Sequence, residues 1–217
     1  ENLRTLVNKG FVLKPIIDVI IPAFNEALSI GKVIIEIPED LVRDIIVVDN
    51  ASTDGTAEVA ITSGATVLKE VRRGYGNACL MGVAHCRKRK PTPDIVVFLD
   101  GDYSDYPEDM RALVKPIVNK EADLVIGSRM LGTRTKGSMT IQQVFGNWVA
   151  TRLLKVLFNV PFTDLGPFRA IRFTALLDLQ MRDRTYGWTV EMQVKEGKQQ
   201  MRCIEGPVPS RLVWELN

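Results

Sequence analysis

The run DIVVFLDGDYSD, residues 94 to 105, is an apolar strand that emerges into two carboxylates, Asp100 and Asp102, separated by Gly101. Side chains two apart on an extended segment point to the same side, so both carboxylates can face one divalent cation. Gly101 lets a bulky ligand approach the backbone between them. Hard oxygen donors that leave coordination positions open suit Mg²⁺ or Mn²⁺ bridged to phosphate oxygens better than a closed structural site. An Asp-Gly-Asp is also ordinary turn material at a strand end, so its meaning depends on its surroundings. A calcium loop of the EF-hand kind is excluded. Counted from Asp100, the sixth and twelfth positions hold Asp105 and Ala112 where Gly and Glu are needed.

Outward from this run the chain alternates. Short apolar segments rich in Val and Ile, at Ile16 to Ile21, Ile45 to Val48, Thr66 to Leu68, Ile95 to Leu99 and Leu124 to Ile126, are bounded by Asp, Asn, Gly or Pro and read as buried strands. Between them, Ala27 to Glu36, Asp54 to Ser63, Tyr75 to Lys88 and Pro107 to Asn119 carry helical spacing, the last opened by a proline and acidic residues. Repeated alternation predicts an α/β fold with a mainly parallel, twisted sheet and helices on both faces. Ligands of such sheets sit beyond the carboxyl ends of the strands.

Those ends are polar throughout. Strand one runs into Pro22, Ala23, Phe24, Asn25 and Glu26, strand two into Asp49, Asn50, Ala51 and Ser52, strand four into Asp100 and Asp102, and strand five into Gly127, Ser128 and Arg129. Helix capping accounts for Asp54 and for one of Asn25 and Ser52. It does not account for carboxylates at three successive ends beside an arginine, which a pocket for nucleoside, diphosphate and metal explains together. The stretch from Gly74 to Cys79 imitates a dinucleotide fingerprint, but Cys79 replaces its third glycine and the acid about twenty residues on, Asp94, lies at the wrong end of a strand. Gly74 and Gly76 instead bring a helix start, with Asn77 and the Arg72-Arg73 pair, near a ligand. No Gly-Lys-Ser or Gly-Lys-Thr occurs, which excludes a P-loop.

Composition bounds the partners. The 217 residues carry 28 Lys and Arg against 26 Asp and Glu, a net charge of +2, so nothing global argues for nucleic acid. The Arg87 to Lys90 run reads as a solvated helix end. Cys79, Cys86 and Cys203 have no metal-ligand spacing, and the first two lie about 10 Å apart along one helix, too far to bridge. Reduced thiols and a cytoplasmic location are expected. No apolar run of about 18 residues suggests a membrane span, and the first fifteen residues lack a secretory core.

In order and spacing, VIIPAFNE, IIVVDNASTDGT, RRGYGNA, VVFLDGDYSD and DLVIGSR resemble a family 2 glycosyltransferase of the GT-A fold, from the branch near dolichyl-phosphate mannose and polyprenyl-phosphate glucose synthases. TDLGPFRAIR, residues 163 to 172, and the stretch from 186 to 211 extend the resemblance. It implies one GT-A domain over residues 16–211, with a nucleotide-binding half to 129 and an acceptor-side half from 130, flanked by an extension at 1–15 and a tail at 212–217. It implies inverting transfer of a sugar from a UDP- or GDP-sugar. Pro22, Ala23, Phe24, Asn25, Glu26, Asp49, Asn50 and Ser52 would hold the nucleotide with Gly74, Asn77, Asp100 and Gly101, and Asp100 with Asp102 would bind Mg²⁺ or Mn²⁺. Arg129, then Arg169, is the candidate guanidinium for the departing diphosphate. Glu191 is the candidate base, with Asp164 as alternative; a phosphate acceptor is already ionised and needs neither.

Three departures stand out. Asn50 replaces a common acid, so an amide is expected to take over one ribose or base contact. Gly166-Pro167 replaces Ser-Gly before Phe168-Arg169 and stiffens an acceptor-side loop. A basic, Gly- and Ser-containing segment common after the Pro-Val-Pro strand is missing between Arg211 and Leu212, where a mobile loop is expected to have been lost. Gln142 to Asn159 is apolar over more than one helical stripe. Packing on the sheet is the plain reading; the sharper one is an interfacial helix that admits a polyprenyl phosphate at the inner face of a membrane. His85, inside the third helix, reads as structural. Outside this class, a sugar-phosphate nucleotidyltransferase would need a Gly-rich basic N-terminal loop unlike the turn after Pro22, and a catalytically silent nucleotide-binding protein would not need both Asp100 and Asp102.

Overall fold

A computed structural model of the chain describes residues 14–132, 152, 162–209 and 211. Seven strands form one sheet: β1 (Ile17–Ala23), β2 (Asp44–Asp49), β3 (Thr66–Lys69), β4 (Ile95–Phe98), β5 (Leu124–Ser128), β6 (Arg169–Arg172) and β7 (Cys203–Pro207), in the order β3-β2-β1-β4-β6-β5-β7. Only β6 runs against its neighbours, pairing antiparallel with β4 and β5, while β1 pairs parallel with β2 and β4, and β5 with β7. The expected mainly parallel sheet is present.

Alternation along the strands divides the core. Ile17, Val19, Ile21, Val47, Val97 and Val125 pack on one face against α1 (Ile30–Glu36), α2 (Thr56–Thr62) and α4 (Met110–Val118). Ile20, Ile46, Val48, Val96, Phe98 and Ile126 pack on the other against α3 (Tyr75–Lys88), α5 (Phe173–Leu179) and α6 (Trp188–Gln199). Strands buried on both faces are apolar at nearly every position, as parallel strands require. On the second face Phe98 meets the Trp188 ring edge to face at 5.9 Å.

Two helices start later than their sequence patterns suggest. Residues 27 to 29 form a turn before α1, and Asp54 bonds the Thr56 amide at 3.0 Å ahead of α2 rather than lying inside it. The three cysteines are free, with Cys79 and Cys86 buried. Among the described residues no helix is long and apolar enough to cross a membrane. The proposed interfacial helix at 142 to 159, apart from Arg152, and the junction after Arg211 lie outside the described residues.

Candidate active site

At the carboxyl edge of β1, β2 and β4 the backbone turns sharply, with Asn25, Ala51 and Tyr103 all at positive φ (57°, 62° and 63°). The first two loops are stitched together: the Asn25 amide donates to Ser52 Oγ at 3.0 Å, the Thr53 amide to Asn25 Oδ1 at 2.9 Å, and the Glu26 amide to Thr56 Oγ1 at 2.8 Å. Asn25 and Ser52 therefore brace one loop against the other; neither caps its own helix. Asp49 accepts the Ser52 amide at 3.0 Å within the second loop.

Between these loops lies an open cleft of about 280 Å³, lined by Pro22, Ala23, Phe24, Glu26 and Asn50, by Arg73, Gly74, Tyr75 and Ala78, and by Asp100, Gly101, Asp102 and Tyr186. The carboxyl edge thus brings together most of the expected nucleotide-binding positions and both expected metal carboxylates. Asn77 turns away, its amide donating to the Arg73 carbonyl at 3.1 Å. Asp100 Oδ1 accepts the Tyr75 hydroxyl at 3.0 Å and Asp102 Oδ1 accepts the Ser104 amide at 2.9 Å, so each carboxylate is oriented through one oxygen. Burial, then the charge of Asp102, pushes Asp100 up to about 7. Glu26, whose Oε2 accepts Ser29 Oγ at 2.8 Å, is also pushed up by burial and, less strongly, by Asp102 and Asp54. A concentration of negative charge this costly fits a cation. Among the described residues no three His, Cys, Asp or Glu side chains converge as a metal cage.

Asn50 departs from its expected role. Its Nδ2 donates to the carbonyls of Glu70 (3.0 Å) and Arg72 (2.8 Å), and its Oδ1 accepts the Gly74 amide at 2.7 Å. The side chain is spent on holding the loop before α3, which explains an amide here: a carboxylate has no N–H to donate to two carbonyls. Asn50→Asp is expected to cost about 2 kcal/mol in denaturant unfolding, the penalty of leaving those carbonyls unpaired. That loop also requires its glycines. Gly74 has φ of 136°, and a Cβ at Gly74 or Gly76 would come within 2.1 Å of the Arg184 or Asp183 carbonyl oxygen. Gly101 is different, since a Cβ there would meet Glu26 Cγ and Ile30 Cδ1 at an ordinary 3.4 Å. Gly101→Ala is therefore expected to keep the melting temperature within about 2 °C while weakening nucleotide binding at least about tenfold by calorimetry, because Gly101 lines the cleft and the added methyl crowds Glu26 and Ala23 of the same lining.

The expected catalytic residues separate into two groups. Arg129 stays beside the cleft, 20% exposed, clasping fully buried Asp164 through Nε (2.9 Å) and Nη2 (3.0 Å), while its backbone amide adds a third bond at 2.9 Å. Burial opposes the Arg129 charge, but Asp164 more than offsets it and holds the guanidinium protonated. Asp164 is thereby a holder of Arg129, both of its carboxylate oxygens taken by N–H donors of that residue. Arg169 is wholly buried, donating to the carbonyls of Thr189 (3.3 Å), Leu165 (3.2 Å) and Gly166, so it ties β6 to α6 instead of reaching a diphosphate. Glu191 is also diverted. Its carboxylate accepts the amides of Arg182 (2.9 Å) and Asp183 (2.7 Å) and pairs with Lys195 at 2.7 Å. Burial raises its pKa, yet these bonds win and hold it below the usual range, against a role as base.

Three residues near the cleft, Tyr75, Tyr186 and Asp105, escaped the sequence reading, whereas Arg73 of the Arg72-Arg73 pair lines it. Tyr75 orients Asp100, and the guanidinium of Arg73 lies 4.2 Å over the Phe24 ring at the cleft wall. Tyr186 stands at the mouth, 85% exposed. Asp105 is buried with neither carboxyl oxygen hydrogen-bonded, and burial, then the charge of Asp100, pushes it up to about 8. Only the spacing DGDYSD signalled Asp105, and turn chemistry explained it equally well.

The Glycosyl transferase family 2 model matches residues 18–179. A glycosyltransferase of Mycobacterium tuberculosis is 35% identical over 191 residues, covering 87% of this chain and 82% of its own. An undecaprenyl-phosphate mannosyltransferase of Micrococcus luteus is 29% identical over 203 residues, covering 87% and 81%. The crystal structure of glucosyl-3-phosphoglycerate synthase from Mycobacterium tuberculosis, in complex with Mn²⁺, UDP-glucose and phosphoglyceric acid, superposes with a TM-score of 0.69 at 26% identity, over 91% of this chain and 72% of that one. The chain is a glycosyltransferase of family 2, built on the GT-A fold.

Proposed function

We propose that this enzyme moves a hexosyl group, with inversion, from a UDP- or GDP-sugar to a polyprenyl phosphate. The observation that carries the reading is one cleft in which Asp100 and Asp102 face the loops of Pro22 to Glu26 and Asn50. The nucleoside lies along Pro22 to Phe24 and the Asn50 backbone, with Arg73 and Phe24 forming its wall. Asp100 and Asp102 hold Mg²⁺ or Mn²⁺. The ion, when bound, neutralises charge that develops on the departing diphosphate. Arg129, kept protonated and aimed by Asp164, adds a fixed positive charge beside the same oxygens.

A phosphate acceptor follows from where the carboxylates are spent. Glu191 and Asp164 are both committed to N–H donors, so neither expected base is free for a sugar hydroxyl. An already ionised phosphate needs none. The undecaprenyl-phosphate mannosyltransferase among the relatives agrees with that acceptor, and the Mn²⁺ and UDP-glucose of the structural neighbour agree with the donor side. The acceptor would be met at the inner face of a membrane. A panel of UDP- and GDP-sugars with Mg²⁺ or Mn²⁺, with nucleoside diphosphate release read with and without polyprenyl phosphate, tests the proposal. Release stimulated by the lipid phosphate, with sugar found on the lipid, is expected. Transfer to a free sugar hydroxyl but not to the lipid phosphate would overturn the acceptor assignment.

A further inference from the structure

Arg211 lies beyond β7, over a hundred residues from the metal carboxylates in sequence, yet it grips the loop that carries them. Its backbone amide donates to the Ser104 carbonyl at 2.8 Å, and its guanidinium lies between the rings of Tyr103 and Tyr106, 3.9 Å from each centroid. The same guanidinium pairs with Glu36 at the end of α1 at 2.6 Å, and the Tyr103 hydroxyl donates to that carboxylate as well. One cation thus binds three elements: the end of α1, the turn after Asp102 and the segment leaving β7. Tyr103 sits at positive φ, a conformation a tyrosine does not hold without outside support. Upstream, the segment leaving β7 is pinned beside Arg129: the Val208 amide donates to the Ser128 carbonyl at 3.2 Å, and Gly132 packs so closely that a Cβ would come within 2.0 Å of the Val208 oxygen.

We infer that Arg211 is a positioning residue for the donor site: it fixes the turn from Tyr103 to Tyr106, and through it the aim of Asp102 and Asp100, while tethering that turn to the strand end that bears Arg129. This rests on the reading of Asp100 and Asp102 as metal ligands. Groups one layer outside a metal site commonly alter its affinity ten- to a hundredfold when removed, because they orient the ligands themselves. Arg211 meets that description through contacts no single loop could supply.

Two measurements test it, with Arg111→Ala, which breaks the more exposed Arg111–Asp40 pair of α4, as the control. Without metal, Arg211→Ala is expected to accelerate amide hydrogen exchange in residues 101 to 106 while the control does not. With UDP present, Mn²⁺ binding followed by electron paramagnetic resonance is expected to weaken about tenfold or more in Arg211→Ala and less in Arg211→Lys, which keeps the charge but loses the planar stack. Exchange and Mn²⁺ affinity both equal to the wild type would overturn the inference. Altered exchange with an unaltered Mn²⁺ affinity would overturn it too, leaving Arg211 a purely structural residue. Failure of the wild type itself to bind Mn²⁺ with UDP would instead sink the metal reading, and the inference with it, and is distinguishable because it appears before any substitution.

Discussion

Asp102→Asn is expected to lower sugar transfer about a thousandfold or more with little change in folding. The substitution is nearly isosteric, and an asparagine oxygen can still accept the Ser104 amide that Asp102 now holds at 2.9 Å. What disappears is one of the two negative charges of the proposed cation site, which shares the cleft with Glu26. A lost ligand charge acts on ion binding and on stabilisation of the departing diphosphate together, and removal of one preorganised electrostatic group commonly costs two to three powers of ten, about 3–4 kcal/mol. Removing Asp102 also relieves the repulsion that raises Asp100 and Glu26, so the apo protein should melt no lower than the wild type. Single-turnover transfer with saturating donor, paired with thermal unfolding, checks both halves. Activity within tenfold of the wild type would remove Asp102 from the metal site.

The second large effect concerns the Arg129–Asp164 pair. Arg129→Ala leaves the fully buried Asp164 carboxylate with neither of its two guanidinium bonds, a situation that costs about 3–5 kcal/mol. Stability and transfer should fall together, and alone this would not separate a scaffold from a catalytic group. The double substitution Arg129→Met with Asp164→Leu does separate them. Filling the site with apolar groups removes the stranded charge and is expected to restore most of the unfolding free energy, while transfer stays depressed about a hundredfold or more for want of a cation beside the diphosphate. Recovery of activity along with stability would show that the pair only holds β5 to the 164 loop.

The cleft at the carboxyl edge was legible in the chain because its signals are local. Each of β1, β2, β4 and β5 is a short apolar run ending in polar residues, and alternation with helices forces those ends onto one edge. β6 was not legible. It is four residues long with arginine at both ends, and its place between β4 and β5 depends on a reversal of direction that no local pattern encodes. The side chains misjudged from sequence share one cause. Glu191, Asp164 and Arg169 have the right chemistry for catalysis, but their bonding partners lie 4 to 9, 35 and 3 to 23 residues away, and those partners consume them. Asn50 is the same case in milder form, its amide committed to carbonyls 20 and 22 residues on. A residue's type states what it can do; only the tertiary partners state what is left over for a ligand.

Arg211 extends that lesson to the whole site. Tyr75 at the start of α3 bonds Asp100, and Arg211 clasps Tyr103 and Tyr106; neither Tyr75 nor Arg211 adjoins the DGD run in sequence.

If a divalent cation and a nucleoside diphosphate share the cleft at Asp100 and Asp102, crystals soaked with Mn²⁺ and UDP will show it at the manganese absorption edge. An anomalous peak bridging carboxylate oxygens of Asp100 and Asp102 to the diphosphate, with the uridine along Pro22 to Phe24, is expected; ordered UDP with manganese bound elsewhere, or ordered UDP outside this cleft, would overturn the assignment of the cleft.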